Sequence, residues 1–235
     1  ALSGFFTDIF GWRPFFFIIG CVAIFASILL LKFSQNLKAS YLKPRLIDII
    51  HTLKLRHNLY IFLMIFGIFF TFQAMLNFIP FELARIDEDY NSSKAGMLYI
   101  GYLVGVLVAF NTKKITALFR SPITAIIAGI ITLIIAIQIF RIESFGLIFV
   151  AMVIFCLGNF IAHSIASGFV NKMATTHKGI SNGLYVSFYY FGGALGSFIP
   201  GLIYMPFGWN AFLWLLSIIA FISLIFITAI HDLKA

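Results

Sequence analysis

Six polar residues stand out because each pair shares one face of an apolar run: Gln73 with Asn77, Asn159 with His163, and Tyr185 with Tyr189, each pair four apart. Residues four apart on a helix stack one above the other. An amide or imidazole surrounded by hydrocarbon must find a partner, and it faces protein or water. Gln73 and Asn159 are therefore expected either to contact a polar solute or to bond across helices and hold a bundle together. His163 is able to take up a proton near neutrality, or else it stays neutral and hydrogen-bonds. Tyr185 and Tyr189, beside Phe188 and Tyr190, form either an aromatic wall with hydroxyl tips, suited to flat, amphipathic or cationic ligands, or plain packing. Tyr99 and Tyr102 repeat that pattern more weakly. This is binding chemistry. For bond-making chemistry the chain offers no nucleophile elbow, no phosphate loop, no metal-ligand spacing and no paired carboxylate within an apolar run. No cofactor and no metal is expected. Cys21 and Cys156 sit in apolar runs without a second Cys or His at ligand spacing, and they read as packing residues.

The elements that must position these side chains follow from composition. The 235 residues are 62% hydrophobic and 10% charged, where a soluble domain carries about 25% charged residues. A bilayer core about 30 Å thick is crossed by about 20 apolar residues in a helix. Seven runs approach that length, at 13–33, 58–81, 95–111, 121–140, 145–170, 180–204 and 208–230. Charged residues fall between the runs or at their margins, as a cost of about 2.5 to 3.5 kcal/mol per charge at a span's centre demands. Helices are expected throughout, because an open strand in lipid leaves its backbone groups unpaired.

The net charge of +8 concerns topology before it concerns partners. If the spans alternate and residues 34–57 lie inside the cell, that side holds Lys32, Lys38, Lys43, Arg45, Lys54, Arg56, Lys113, Lys114, Arg120, Lys172, Lys178 and Lys234, twelve of the sixteen basic residues. The other side keeps Arg13, Arg85, Lys94 and Arg141 with Asp8, Glu82, Asp87, Glu88, Asp89 and Glu143. The bias orients the chain with 34–57 and the carboxyl terminus cytoplasmic, and it points to anionic lipid, not nucleic acid.

Two stretches repeat. FGWRPFFFIIG begins at Phe10 and FGWNAFLWLLS at Phe207, 197 residues later, and the same offset matches Gly4 with Gly201 and Phe15 with Phe212. Six crossings separate the copies, so both corners lie on one membrane face, outside, as in a parallel repeat of a six-helix unit. The stretch YLKPRLIDIIHTLKLRHNL sets Leu46, Ile49, Ile50 and Leu53 on one helical face with Lys43, Arg45 and Lys54 around them, which predicts a short helix on the inner leaflet, the alternative being a solvated tether. Ser92 or Ser93 is expected to cap the third span. Gly192 with Gly196, and Gly193 with Ser197 and Gly201, form small-residue stripes, with Gly101 and Gly105 a weaker pair. They serve ordinary helix packing or a sliding contact between two halves. Pro200 should bend the sixth span near its outer end.

SGFFTDIFGWRPFFFI resembles the end of the fifth helix and the start of the sixth in major facilitator superfamily transporters, and GISNGLYVSFYYFGGALGSFIPGLIYMPFGWNAF resembles the eleventh helix and its turn in the branch of drug–proton antiporters that also contains sugar-efflux proteins. The resemblance covers Leu2 to about Ile230. It departs from the pattern between the eighth and ninth helices, where NTKKITALFRS keeps Lys113, Lys114 and Arg120 but lacks the acid and glycines of the family's loop motif, so the resemblance implies no charge relay through that loop.

The resemblance implies an all-α membrane protein carrying seven helices of a twelve-helix fold. Residues 1–33 would end the first half, 34–57 would link the halves in the cytoplasm, and 58–235 would form the second six-helix half, the missing first half being the partner. Gln73, Asn77, Asn159 and His163 would then point into a central cavity. The function implied is proton-coupled efflux of a small organic molecule, a drug or sugar, across a bacterial inner membrane by alternating access. The coupling carboxylates are expected upstream of Ala1, because no acid lies in these spans. An uptake permease is the alternative, and a seven-helix receptor or scaffold the rival from another class. A retinal protein would need a lysine in the last span, and none lies between Gly208 and Ile230.

Overall fold

A computed structural model describes residues 2–33, 45–174 and 177–232. Every regular element among them is helical: α1 (Leu2–Phe10), α2 (Trp12–Phe33), α3 (Leu46–Lys54), α4 (Arg56–Ile86), α5 (Ser92–Leu98), a 3-10 turn (Tyr99–Gly101), α6 (Tyr102–Leu118), α7 (Pro122–Ile139), α8 (Phe145–Met173), α9 (Lys178–Phe198) and α10 (Gly201–Asp232). The all-α membrane fold expected from the sequence is the one observed.

Among the described residues six stretches are long and apolar enough to cross a membrane: Trp12–Phe33, Arg56–Ile86, Ser92–Leu118, Pro122–Ile139, Phe145–Met173 and Gly201–Ile230. The seventh expected span, α9, falls short, because glycine, serine, asparagine and tyrosine dilute its hydropathy. Its packing sets it beside α4, which is long and apolar enough to cross. Phe188 stacks on Phe62, Gly192 meets the Phe66 carbonyl, Gly196 meets the Phe70 carbonyl, and the Tyr204 hydroxyl just beyond it reaches Glu82. The two helices therefore run side by side in the same direction, and α9 shares the depth that α4 occupies.

The core is built around α4, which packs on α8, α9 and α10, while α7 packs on α8 and α10. Side chains such as Phe62, Met64, Ile65, Ile68, Phe155 and Phe212 are fully buried there. Glycine sets one close crossing: a Cβ on Gly158 would lie 2.6 Å from the Gly129 carbonyl, so α7 and α8 touch backbone to backbone. By contrast, no residue of α2 is buried, and α1 packs on α5.

Several boundaries differ from the sequence reading. Pro200 does not bend a continuous span: α9 stops at Phe198, Ile199 and Pro200 form a turn, and α10 begins at Gly201. Proline lacks the N–H that would continue the ladder. The second corner, by contrast, breaks the helical run of α10 where expected, at Gly208, whose φ of 75° is non-helical. Gly11 takes φ 79° in the first corner, so the repeated FGW encodes one left-handed turn twice, a conformation that glycine adopts without a Cβ clash. Asn91, not Ser92 or Ser93, caps α5, its Oδ1 accepting from the Lys94 amide at 2.9 Å. The short helix α3 forms where expected, but its apolar face is divided. Ile49 and Leu53 turn toward the bundle with the buried Thr52, whereas Leu46 and Ile50 stay exposed. Lys43 lies outside the described residues.

The loops gather at two ends. At one, Asp8 accepts hydrogen bonds from the Ser93 amide and hydroxyl, Lys94 pairs with Asp87, Arg85 with Glu143, and Arg141 with Asn210. This chain of contacts puts both FGW corners at the same end. At the other, α3 meets the start of α9, with Asp48 Oδ1 3.8 Å from His177 Nε2.

Candidate functional site

The six polar residues come from three helices in contact. Tyr185, buried at 1% exposure, has its hydroxyl 3.1 Å from His163 Nδ1 and 3.2 Å from the His163 carbonyl oxygen, so it bridges α9 and α8. Tyr189, one turn on, lies against the imidazole with centroids 4.6 Å apart and stacks on Phe69 of α4 at 3.5 Å. Gln73 adjoins this stack: its Cβ would be 3.8 Å from a Cβ on Gly193, which Phe69 also contacts. Gln73 Nε2 donates to Asn77 Oδ1 at 3.4 Å. Phe69, Gln73, His163, Tyr185 and Tyr189 thus form one patch of rings and hydrogen-bonding groups where α4, α8 and α9 meet.

Asn159 sits one turn before His163 on α8, at 2% exposure, and its Oδ1 has no hydrogen-bond partner. A buried, unsatisfied amide oxygen costs about 1 to 3 kcal/mol. Gln73, Asn77 and His163 are only half-buried. The patch can bind: it offers amide donors and acceptors, an imidazole, two phenols and flat ring faces. It holds no acid, and among the described residues no group of His, Cys, Asp or Glu is placed to hold a metal ion.

The small-residue stripe is taken up inside this bundle. Cβ atoms on Gly192 and Gly196 would lie 2.2 and 2.3 Å from the Phe66 and Phe70 carbonyl oxygens, and one on Gly193 would strike the Phe69 ring. Gly101 fits against Met152 and Cys156, and Gly105 against the Phe160 ring, both on α8. Their partners are α4 and α8.

One cluster escaped the sequence reading, which placed Glu82 in an outer loop. Glu82 instead lies within α4 at 1% exposure. Arg85 grips it with two hydrogen bonds, from Nη2 at 2.7 Å and Nε at 3.1 Å, and the same Nη2 reaches Glu143 at 2.6 Å. Tyr204 on α10 donates its hydroxyl to Glu82 Oε2 at 3.3 Å. The signal was present in PFELAR, because Glu and Arg three apart share a helical face. The sequence reading ends that span at 81, one residue before it. Pro80 lies inside the helix, and where its missing N–H leaves the Leu76 carbonyl unpaired, Tyr99 donates its hydroxyl at 3.4 Å. Tyr99 therefore has a structural task.

Two cavities lie away from the patch. One, of about 870 Å³, opens between α3 and the start of α9, and one of about 450 Å³ lies between α1 and α5. None of the six polar residues lines either.

Comparison with known proteins gives this arrangement a family. The chain is 27% identical, over 98% of its length and 56% of the relative's, to the inner membrane transport protein YnfM of Escherichia coli K12. It is 30% identical to an uncharacterized transporter of Buchnera aphidicola subsp. Schizaphis graminum, over 97% of this chain and 55% of that one. It is 25% identical to the uncharacterized MFS-type transporter YybF of Bacillus subtilis 168, over 95% and 56%. The chain spans about half the length of these relatives. A family model described as Major Facilitator Superfamily matches residues 1–196. With its apolar helices, its paired glycine corners and this match over most of its length, the chain belongs to the major facilitator superfamily.

Proposed function

We propose that the protein is a secondary active transporter that exports a small organic molecule, a drug or sugar, across a bacterial inner membrane in exchange for protons, by alternating access. In this reading α1 and α2 end a first half, the segment from 34 to 57 links the halves in the cytoplasm, and the helices from α4 onward form the second half. The observation that carries it is the patch on α4, α8 and α9, where amides, an imidazole and two phenols gather within a lipid-embedded bundle and Asn159 keeps an unpaired acceptor. A polar solute supplies the partner that Asn159 lacks. Tyr189 and Phe69 offer it a flat apolar wall. The opposing wall would come from the part of the relatives that this chain does not span, as would the coupling carboxylate, since Glu82 is engaged by Arg85 and Tyr204. The exposed α2 fits this reading, because its faces await the helices of the first half.

Proton-gradient-driven transport into inverted vesicles containing the full-length protein tests the proposal. Export of a fluorescent amphipathic amine or a labelled sugar should stop when the proton gradient is collapsed, and Asn159→Ala should raise KM. Transport indifferent to the gradient would remove proton coupling, and an unchanged KM would remove Asn159 from the site.

A further inference from the structure

The larger cavity belongs to no step of transport described above, and its lining has a chemistry of its own. Arg45 and Asp48 enter from α3 and its N-cap, His177 and Lys178 from the start of α9, and Ile49 and Leu184 make aliphatic wall. Its acid is already matched: Asp48 pairs with Arg45 at 3.3 Å and lies 3.8 Å from His177. Lys178 has no ion pair among the described residues, so the lining keeps an excess of positive charge. The apolar part continues outside, where Leu46, Ile47 and Ile50 on the outward face of α3 are 74%, 62% and 41% exposed. A nine-residue helix with such a face is stable at a membrane interface, not in water. That places the cavity at headgroup depth, with basic groups beside aliphatic ones.

We propose that this cavity binds the phosphate headgroup of an anionic phospholipid of the inner leaflet, with its acyl chains lying along Ile49, Leu184 and the exposed face of α3. A free phosphate would use the charges but leave the aliphatic wall and the α3 face uncovered, whereas an amphiphile covers both. The lipid would fasten α3 to the start of α9. The inference rests on the cytoplasmic orientation proposed above and is independent of the substrate class.

The test is native mass spectrometry of the full-length protein released from nanodiscs of phosphatidylcholine with a minor fraction of phosphatidylglycerol. The wild-type protein should retain phosphatidylglycerol in preference to phosphatidylcholine. Each of the two basic groups lining the cavity contributes about 1 kcal/mol toward a headgroup seated in it, so Arg45→Gln with Lys178→Gln should weaken retention roughly 30-fold. Gly183→Leu, at a lining position where a Cβ meets nothing within 4 Å, should weaken it by filling the space without changing charge. Lys113→Gln with Lys114→Gln should leave it intact. Equal retention in the two site variants, equal loss in the Lys113/Lys114 control, no preference over phosphatidylcholine, or full displacement by inorganic phosphate would each overturn the lipid assignment. Lipid binding is read without transport, so the vesicle transport assay reports on the transporter reading separately.

Discussion

The sharpest prediction concerns the contact between α4 and α9. A Cβ added at Gly192 would stand 2.2 Å from the Phe66 carbonyl oxygen, and one at Gly196 would stand 2.3 Å from that of Phe70, where real Cβ contacts do not fall below 3.0 Å. The obstacle is backbone, so no rotamer change relieves it. Alanine at either position must push the helices apart by about 0.8 Å, opening the stack of Phe188 on Phe62 and of Tyr189 on Phe69. Overpacking of this kind costs about 1 to 3 kcal/mol per site. Gly183→Ala, on the same helix but facing open space, gains up to about 1 kcal/mol of helix propensity instead. Thermal unfolding of the full-length protein in detergent should therefore show Gly192→Ala and Gly196→Ala each lowering Tm and Gly183→Ala holding or raising it. Equal midpoints for Gly192→Ala and Gly183→Ala would show that the two helices do not approach as described, and the argument that α9 crosses the membrane beside α4 would go with it.

Other consequences are as definite. Arg85→Gln strands the buried Glu82 carboxylate and should destabilise, by less than the roughly 3 to 5 kcal/mol of a fully buried pair because Arg85 is half-exposed, while Glu82→Gln leaves Arg85 still paired with Glu143 and should cost clearly less; the reverse order of Tm values would refute the lock. Asn159→Leu removes an unpaired buried oxygen and should raise stability by about 1 kcal/mol while weakening substrate affinity, so a lowered Tm would show that the amide is bonded after all. Hydrogen bonding from Ser93 holds the Asp8 carboxyl below its usual range. A depressed carboxyl stabilises fully above its unfolded value and loses that contribution only as pH falls through the folded one. The population at short distance between spin labels attached beforehand at Thr7 and Ala95, which line one cavity, should thus stay level between about pH 7 and 5 and fall only below about pH 4. A decline near neutrality would mean that another group holds α1 to α5.

Much of this protein was written in one dimension. Hydropathy fixed the helices, because in lipid a backbone segment has no other way to pair its own polar groups. The FGW corners announced a repeated turn, because only glycine takes a positive φ there without strain. Four-residue spacing placed Gln73 with Asn77 and His163 one turn from Asn159, since helical periodicity is local. Tertiary structure decided which faces meet. Spacing alone left Gly192 and Gly196 between two tasks, and the Phe66 and Phe70 carbonyls assigned them to α4. Hydropathy marked α9 as an apolar run but could not show that Tyr185 within it turns its hydroxyl to His163 of α8. Glu82 looked like a loop acid until Arg85, Tyr204 and the continuation of α4 beyond Pro80 enclosed it. A charge is read from sequence as exposed, and only the packing around it shows that it is buried.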